Sequence, residues 1–292
     1  MKSHISIVTK LIIIAGLCIG TILPGYSQQS SEKTLITAMS FNVRYFNTSD
    51  GVHAWANRKE KVAEVIKSNN VDIAGLQEPW MNQIQDLALL LPEYAWFGWG
   101  RDEGNEKGEF TPIFYKKDKF TVLDKGIFWL STTPEIPGSK GWDVRFPRMV
   151  PWGHFKNKAD GKEFYFFNTH LGGNIARFEG AKIIRNKIDQ MSGGLPVIVT
   201  GDFNATPVSK PYEVMLSDDY SVKLVDGFDV AKEKNDEQFT NYLFDGNDKD
   251  LKRIDYIFVS KEVEVLYHEI INKRIGKYYP SDHLALKAEL AF

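Results

Sequence analysis

Short apolar runs alternate with amphipathic stretches along the chain. A run that is apolar throughout is typical of a strand covered on both faces, and such runs predict strands at residues 34–41, 71–77, 197–200 and 254–260. Apolar positions at helical spacing predict helices at residues 57–68, 81–91, 174–191 and 210–216. Shorter runs predict strands at residues 113–115, 120–130, 149–155, 163–169, 222–224, 263–271 and 284–290. Interleaved strands and helices with hairpins predict two packed sheets flanked by helices.

The segments between these elements add finer predictions. We expect strands 113–115 and 120–130 to pair around residues 116–119, and strands 149–155 and 163–169 to pair with each other. Residues 96–108 are predicted to form a mobile loop, residues 131–148 a long irregular connection, and residues 230–238 an acidic polar stretch. The helix at 174–191 is expected to bury Ile175, Phe178, Ile184, Ile188 and Met191.

The first 27 residues have the pattern of a secretory signal peptide. Two lysines and no acid precede an apolar stretch at residues 11–23, which is too short for a good membrane span. We expect cleavage after Ser27, a linker at 28–33 and one domain at 34–292 in an exported protein, periplasmic or secreted. Anchoring as a lipoprotein through Cys18 is the alternative, although Leu17 is bulkier than the small residue that normally precedes such a cysteine.

Composition narrows the class of protein further. With 43% hydrophobic and 25% charged residues, the 292-residue chain is typical of a globular protein, and the predicted mature part contains no cysteine for a disulfide. Removing Lys2 and Lys10 takes the formal net charge from −2 to −4, which argues against a wide basic face that grips nucleic acid. No obligate protein partner is indicated, and we expect a monomer.

Residues 197–207 carry the first candidate chemistry. The apolar strand ends abruptly at Gly201-Asp202-Phe203-Asn204, and Pro207 prevents a return to regular pairing. A carboxylate and a carboxamide are therefore delivered together at the end of a buried strand, where catalytic groups are often held. Alone, the same residues are equally explained by an Asp/Asn turn that satisfies its own backbone.

Four further stretches place polar residues at the ends of apolar runs. They are Ser40-Phe41-Asn42, Leu76-Gln77-Glu78-Pro79, Phe167-Asn168-Thr169-His170-Leu171, and the late pair Arg253-Ile254-Asp255-Tyr256 with Ser281-Asp282-His283. Together with residues 201–204, these blocks resemble the five signature blocks of the endonuclease/exonuclease/phosphatase superfamily, in order, as in its exported bacterial branch. The resemblance implies an α+β fold of the deoxyribonuclease I-like kind, a four-layer α/β/β/α sandwich with the site at one end between the sheets.

The resemblance also implies a metal site. Glu78 would be the principal ligand, and Asp282 would lie on the metal side. Asn42 would be the partner of Glu78, either giving its carboxamide oxygen to the ion or fixing Glu78. A carboxylate is the hard oxygen ligand that Mg²⁺ prefers, and Mn²⁺ is a possible substitute. The competing interpretation of Glu78 alone is an acid that caps a surface helix.

The remaining blocks imply the groups that act on phosphate. His283 would activate water with Asp255 as its orienting acid, although a buried Asp–His pair can also be purely structural. Asp202 would orient or deprotonate the nucleophile, and the choice of Asp202 or His283 as the base stays open. Asn204 and His170 would donate hydrogen bonds to phosphoryl oxygens. Many exported relatives carry Asp-His after the residue equivalent to His170, whereas this chain has Gly172-Gly173.

The function predicted is Mg²⁺-dependent hydrolysis of a phosphodiester or phosphomonoester by in-line attack of water. Arg44, Tyr115, Arg148 and Arg177 are candidate substrate contacts. Nucleic acid, a phospholipid headgroup and a small sugar phosphate all remain open as substrates. A protein that kept the scaffold but only binds a phosphate ligand is the alternative from another class.

Overall fold

The computed structural model describes residue 1, residues 33–244 and residues 251–292. Apart from residue 1, the predicted signal peptide at 1–27, with Cys18, lies outside the described residues, as does the predicted linker at 28–33 except Lys33. Within 33–244 and 251–292, none of the helices combines the length and the apolar character that crossing a membrane requires.

The described strands are β1 (Leu35–Asn42), β2 (Ile73–Gln77), β3 (Tyr94–Phe97), β4 (Ile113–Lys116), β5 (Phe120–Trp129), β6 (Met149–Asn157), β7 (Glu163–His170), β8 (Val197–Asp202), β9 (Leu224–Asp226), β10 (Glu233–Lys234), β11 (Asp255–Ser260), β12 (Glu264–Ile270) and β13 (Leu286–Ala291). The helices are α1 (Lys59–Ser68), α2 (Met81–Leu90), α3 (Ile175–Met191), α4 (Lys210–Leu216) and α5 (Gly227–Val230), with short 3₁₀ turns at Thr48–His53 and Trp55–Asn57.

These strands form two mixed sheets. In the first the order is β10-β12-β13-β1-β2-β4-β3, and in the second it is β5-β6-β7-β8-β11-β9. Strands β1 and β2 are parallel at the centre of one sheet, and β7 and β8 are parallel at the centre of the other. Strand β13 is antiparallel to β1, and β11 is antiparallel to β8. The carboxyl ends of β1, β2, β7 and β8 and the amino ends of β13 and β11 therefore lie at the same edge.

Side chains of each central strand point alternately towards the other sheet and towards the helices, which gives four layers. Ile36 and Ala38 of β1 share a buried cluster with Phe164 and Phe166 of β7, between the sheets. Met39 and Phe41 face the other way and pack with apolar residues of α1 and α2. Residues Val197 and Val199 of β8 pack likewise against α3 and α4. The α/β/β/α sandwich predicted for the chain is therefore confirmed.

A buried polar network joins the sheets near the edge where the polar strand ends meet. Gln77 Nε2 donates to Asn168 Oδ1 at 2.8 Å, and Thr200 Oγ1 donates to the same oxygen at 3.0 Å. Asn168 Nδ2 donates to the carbonyl of Leu76 at 2.7 Å. Gly75 is required here, because a Cβ at this position would lie 2.1 Å from Thr200 Oγ1.

Several finer predictions were wrong. Strand β4 pairs with β2 and β3, whereas β5 pairs with β6 in the other sheet, so residues 116–119 cross between sheets. In the stripe predicted for α3, Ile184 and Ile188 are buried, whereas Ile175 is 57% exposed. The buried face of α3 also includes Ala176, Gly180, Ala181 and Arg185. Residues 96–97 belong to β3 rather than to a loop, and α5 and β10 have no counterpart in the sequence prediction. The pairing of β6 with β7 was predicted correctly.

Candidate active site

Inward-facing positions change from apolar to polar at one edge of the sandwich. Asn42 and Gln77 lie side by side at the ends of β1 and β2, and His170, Asp202 and Asp255 lie side by side across β7, β8 and β11. Because side chains alternate along a strand, these residues continue the face that Ile36, Phe166 and Ile198 occupy deeper in the core. The predicted convergence at a sheet edge is therefore present.

Asn42 holds two carboxylates together. Its Nδ2 atom donates to Glu78 Oε1 at 3.1 Å and to Asp202 Oδ2 at 3.0 Å, while its Oδ1 accepts from the backbone N–H of Arg44 at 3.0 Å. The other oxygen of Glu78 accepts from the backbone N–H of Tyr45 at 3.0 Å. The carboxamide thus orients both acids, one of the two roles expected for Asn42.

Three residues of the site have a left-handed backbone. The φ angles of Arg44, Glu78 and Asn204 are 59°, 73° and 48°. Such angles cost free energy in residues with a Cβ and concentrate at functional sites. The conformation of Asn204 is held by Asp202 Oδ1, which accepts from its backbone N–H at 2.8 Å.

His283 and Asp255 form a buried pair. His283 Nδ1 lies 2.8 Å from Asp255 Oδ2, and its Nε2 faces Asp202 Oδ2 at 3.9 Å and Asn241 Nδ2 at 3.4 Å. Burial alone would lower the pKa of His283, but the carboxylates, Asp255 foremost, hold that pKa well above its usual value. Burial, and then the charge of Asp255, raises the pKa of Asp202 to about 7.

His170 is held differently. Its Nε2 lies 3.0 Å from Asn204 Nδ2 and 3.5 Å from Asp202 Oδ2. Burial, followed by the charges of Arg148 and Arg101, lowers the pKa of His170 well below its usual value. The two imidazoles of the site are therefore in opposite electrostatic environments.

The described donors suit a hard divalent cation. Ligand atoms of Glu78, His170 and Asp202 all lie within 4.8 Å of one another, and so do those of Asp202, Asp255 and His283. The first group contains two carboxylates, those of Glu78 and Asp202, and one or two carboxylates are the usual protein contribution to a Mg²⁺ site. Asp282 belongs to neither group; its Oδ2 lies 3.5 Å from a guanidinium nitrogen of Arg44.

The four candidate substrate contacts have different locations. Arg44 is tied to Asp50 and Asp282 at the site, and Arg148 lies beside His170, whose carbonyl accepts from it at 3.4 Å. Arg177 lines a groove that also contains Asn204. Tyr115 is not brought to the site, because it lies opposite Ile73 at the far end of β2 and packs against Phe155.

Three further residues at the site were missed from the sequence. Arg101 and Glu109 form a largely buried ion pair, and both line a small cleft with Arg148 and His170. Burial, and then the charge of Glu78, raises the pKa of Glu109 to about 7. Asn241 meets His283 from a loop. Glu109 and Asn241 do not lie at the end of an apolar run, which was the signal used to find the others, and Arg101 lies in the segment 96–108 that was predicted to be a loop.

Arg58 was also missed, and it organises two loops of the site. Its guanidinium is 2% exposed and donates to the carbonyls of Arg44 at 2.9 Å and Pro280 at 3.2 Å. The first loop carries Arg44, and the second leads into Asp282 and His283. Arg58 therefore links two segments that are more than 200 residues apart in the chain.

Comparisons with known proteins agree with this geometry. The profile described as "Endonuclease/Exonuclease/phosphatase family" matches residues 39–283. A family protein from Bacteroides thetaiotaomicron is 38% identical, with a TM-score of 0.85 over 89% of this chain and 99% of its own. A mannosyl-6-phosphatase from B. thetaiotaomicron VPI-5482 is 37% identical, with a TM-score of 0.83 over 88% of this chain and 100% of its own. Nocturnin from Drosophila melanogaster is 24% identical over 80% of this chain, which spans only 41% of that relative's length.

Proposed function

Because the chain belongs to the endonuclease/exonuclease/phosphatase family, whose members hydrolyse phosphoesters, we propose that it hydrolyses a phosphate ester by in-line attack of water with the aid of a divalent cation. The observation that supports this most is the convergence at one edge of Asn42, Glu78, His170, Asp202, Asn204, Asp255 and His283. These side chains offer a ligand set, a proton-accepting centre and hydrogen-bond donors within one buried site.

The cation proposed is Mg²⁺, with Mn²⁺ as a substitute. Glu78 and Asp202 would hold it, since ligand oxygens of the two carboxylates lie within 4.8 Å of each other. When bound, such an ion neutralises negative charge on a phosphoryl oxygen. Asn42 fixes the carboxylates, and the predicted contribution of Asp282 remains a proposal.

The proton of the attacking water would pass to the centre formed by Asp202 and His283. Their facing atoms are 3.9 Å apart, and Asp255 fixes the His283 ring through Nδ1. As the oxygen of the water bonds to phosphorus, the bond to the leaving oxygen breaks, and that oxygen takes up a proton. Asn204 and His170 would stabilise the phosphoryl oxygens, since both residues lie beside Asp202 at the site.

A small phosphorylated sugar is the substrate class that we favour. The mannosyl-6-phosphatase shares 37% of its sequence with this chain and is covered over its whole length. A nuclease is the second candidate, since the family description includes endonucleases and exonucleases. The formal net charge of −2 does not favour a wide nucleic-acid-binding face.

Export is part of the proposal. The basic start and the apolar residues 11–23 support secretion with cleavage after Ser27. Sequencing the amino terminus of the protein recovered outside the cytoplasm should give Gln28 first. An uncleaved chain in the cytoplasmic fraction would contradict export.

The test of the function uses the chain from Gln28 onward. We would measure hydrolysis of mannose 6-phosphate, p-nitrophenyl phosphate, bis-p-nitrophenyl phosphate, an oligonucleotide and sphingomyelin, with Mg²⁺, with Mn²⁺ and with EDTA. The matched control is the His283→Ala variant. Cleavage that needs the metal and is lost in the variant supports the proposal, and the preferred substrate selects the class. Phosphate-ester binding without turnover of any substrate would favour the non-catalytic alternative.

A further inference from the structure

A groove of about 600 Å³ opens beside the candidate active site. Its lining includes Asn174, Arg177, Asn204, Thr206, Asn241 and Lys252, and it is called the Arg177 groove below. Asn204 contacts His170, and Asn241 contacts His283, so the groove continues directly from the catalytic residues. Its volume is within the range of small-molecule sites. A group attached to the reacting phosphate can therefore extend into it.

Two positively charged residues, Arg177 and Lys252, line the groove, and none of the described acids does. Among residues 33–244 and 251–292, no carboxylate forms an ion pair with Arg177 or Lys252, and none lines the groove. Arg177 donates to Asn174 Oδ1 at 2.8 Å, while its Nε is buried without a hydrogen-bond partner. A buried donor left unpaired costs free energy. The groove thus has the electrostatic character of an anion site within a chain of net negative charge.

The uncharged lining residues indicate what kind of group the rest of the ligand carries. Thr206, Ser209, Asn174 and Asn241 offer hydroxyl and carboxamide groups, which suit the hydroxyls of a sugar. Among the described lining residues there is no aromatic ring on which a nucleobase could stack. The lining therefore favours a polyhydroxylated ligand over a nucleotide base.

Building on the proposed function, we infer that the Arg177 groove binds a second phosphate of the substrate, so that the preferred substrate is a sugar bisphosphate. One phosphate would lie at the catalytic residues, and the second would be held by Arg177 and Lys252. A guanidinium matches the geometry of a phosphate with two parallel hydrogen bonds, and such charge-assisted bonds are stronger than neutral ones.

The kinetic test compares matched substrates. We would measure kcat/KM for fructose 6-phosphate against fructose 1,6-bisphosphate, and for glucose 6-phosphate against glucose 1,6-bisphosphate. We expect the bisphosphate to be preferred by about tenfold or more, as a charge-assisted contact implies. The Arg177→Gln/Lys252→Gln variant should lose most of this ratio. Lys182→Gln, on the same helix but outside the groove, should keep it.

A binding measurement separates the two proposals. Calorimetric titration in EDTA would compare fructose 1,6-bisphosphate with fructose 6-phosphate without turnover. Tighter binding of the bisphosphate that needs Arg177, with no hydrolysis when metal is added, supports the groove and overturns the proposed function. Hydrolysis of monophosphates with no preference in either assay overturns the groove and leaves the function standing. An oligonucleotide turned over faster than the sugars, with the advantage lost in Arg177→Gln, would overturn the sugar assignment.

Discussion

His283 Nδ1 lies 2.8 Å from Asp255 Oδ2, and both side chains are buried. The carboxylate holds the ring in one orientation and stabilises its protonated form, which raises the pKa of His283. Asp255 begins β11 opposite Asp202 on β8, so the sheet register itself brings the pair to the proposed nucleophile position.

Replacing Asp255 with Asn should therefore impair chemistry more than binding. The carboxamide can keep the contact with His283 but cannot compensate a positive charge on the ring, so kcat should fall by about 10²- to 10⁴-fold, the usual contribution of acid–base catalysis. KM for the substrate that the assays select should change little. Steady-state kinetics would measure both, and a variant that retains wild-type kcat would contradict the proposed role of Asp255.

Metal affinity should distinguish Glu78 from Asp282. Glu78 shares the Asn42 carboxamide with Asp202, whereas Asp282 lies 3.5 Å from Arg44 and outside both groups of close ligand atoms. Glu78→Gln should weaken Mn²⁺ binding by about tenfold or more, and Asp282→Asn should weaken it less. Calorimetric titration with Mn²⁺ measures the two affinities directly. The reverse order would make Asp282 the principal ligand.

Most of the candidate site residues could be predicted from the sequence because they lie at or next to the end of an apolar strand. Asn42, His170 and Asp202 each end a strand, and the parallel pairing of β1 with β2 and of β7 with β8 is sufficient to bring such ends together. Arg58 could not be found this way, because its guanidinium donates to a carbonyl of a loop that is distant in the sequence. No local pattern encodes which loops meet.

The predicted hairpin at residues 116–119 was wrong for a related reason. A lysine-rich segment between two apolar strands is typical of a turn, but Lys116 and Lys119 both form ion pairs with the buried carboxylate of Asp72. These contacts hold the segment at the edge of the first sheet, while Phe120 starts a strand of the second. The connection thus involves long-range ion pairs, which the local sequence does not reveal.

Arg58 should contribute strongly to stability although it has no acidic partner at salt-bridge distance among the described residues. Arg58→Met would leave several buried carbonyls without a donor, and we expect the free energy of unfolding to fall by about 2–4 kcal/mol. Arg145→Met, at an exposed arginine, is the matched control and should change it by less than about 0.5 kcal/mol. Urea denaturation would measure both, and equal effects would contradict this account.

Gly75 should tolerate no side chain. A Cβ there would lie 2.1 Å from Thr200 Oγ1 and 2.5 Å from Asn168 Cγ, so Gly75→Ala would displace the hydrogen bonds that join the sheets. We expect a loss of about 1–3 kcal/mol or more in the free energy of unfolding. Gly180→Ala in α3, where the nearest atom is 3.3 Å away on a leucine side chain, should be close to neutral. Thermal and urea unfolding of both variants would test the contrast.

His268 should make the fold sensitive to acid. Its ring is fully buried against Phe228 with no hydrogen-bond partner on either nitrogen, and burial, followed by the charges of Arg253 and Lys234, lowers its pKa to about 3. Between this value and about 6.5, the ordinary value, the unfolded chain binds a proton that the folded chain does not. Stability due to His268 is therefore present above pH 6.5 and falls on acidification by up to about 1.4 kcal/mol per pH unit. His268→Leu should remove this part of the slope in urea unfolding between pH 4.5 and 6.5. Parallel slopes for the variant and the wild type would show that His268 does not titrate in this way.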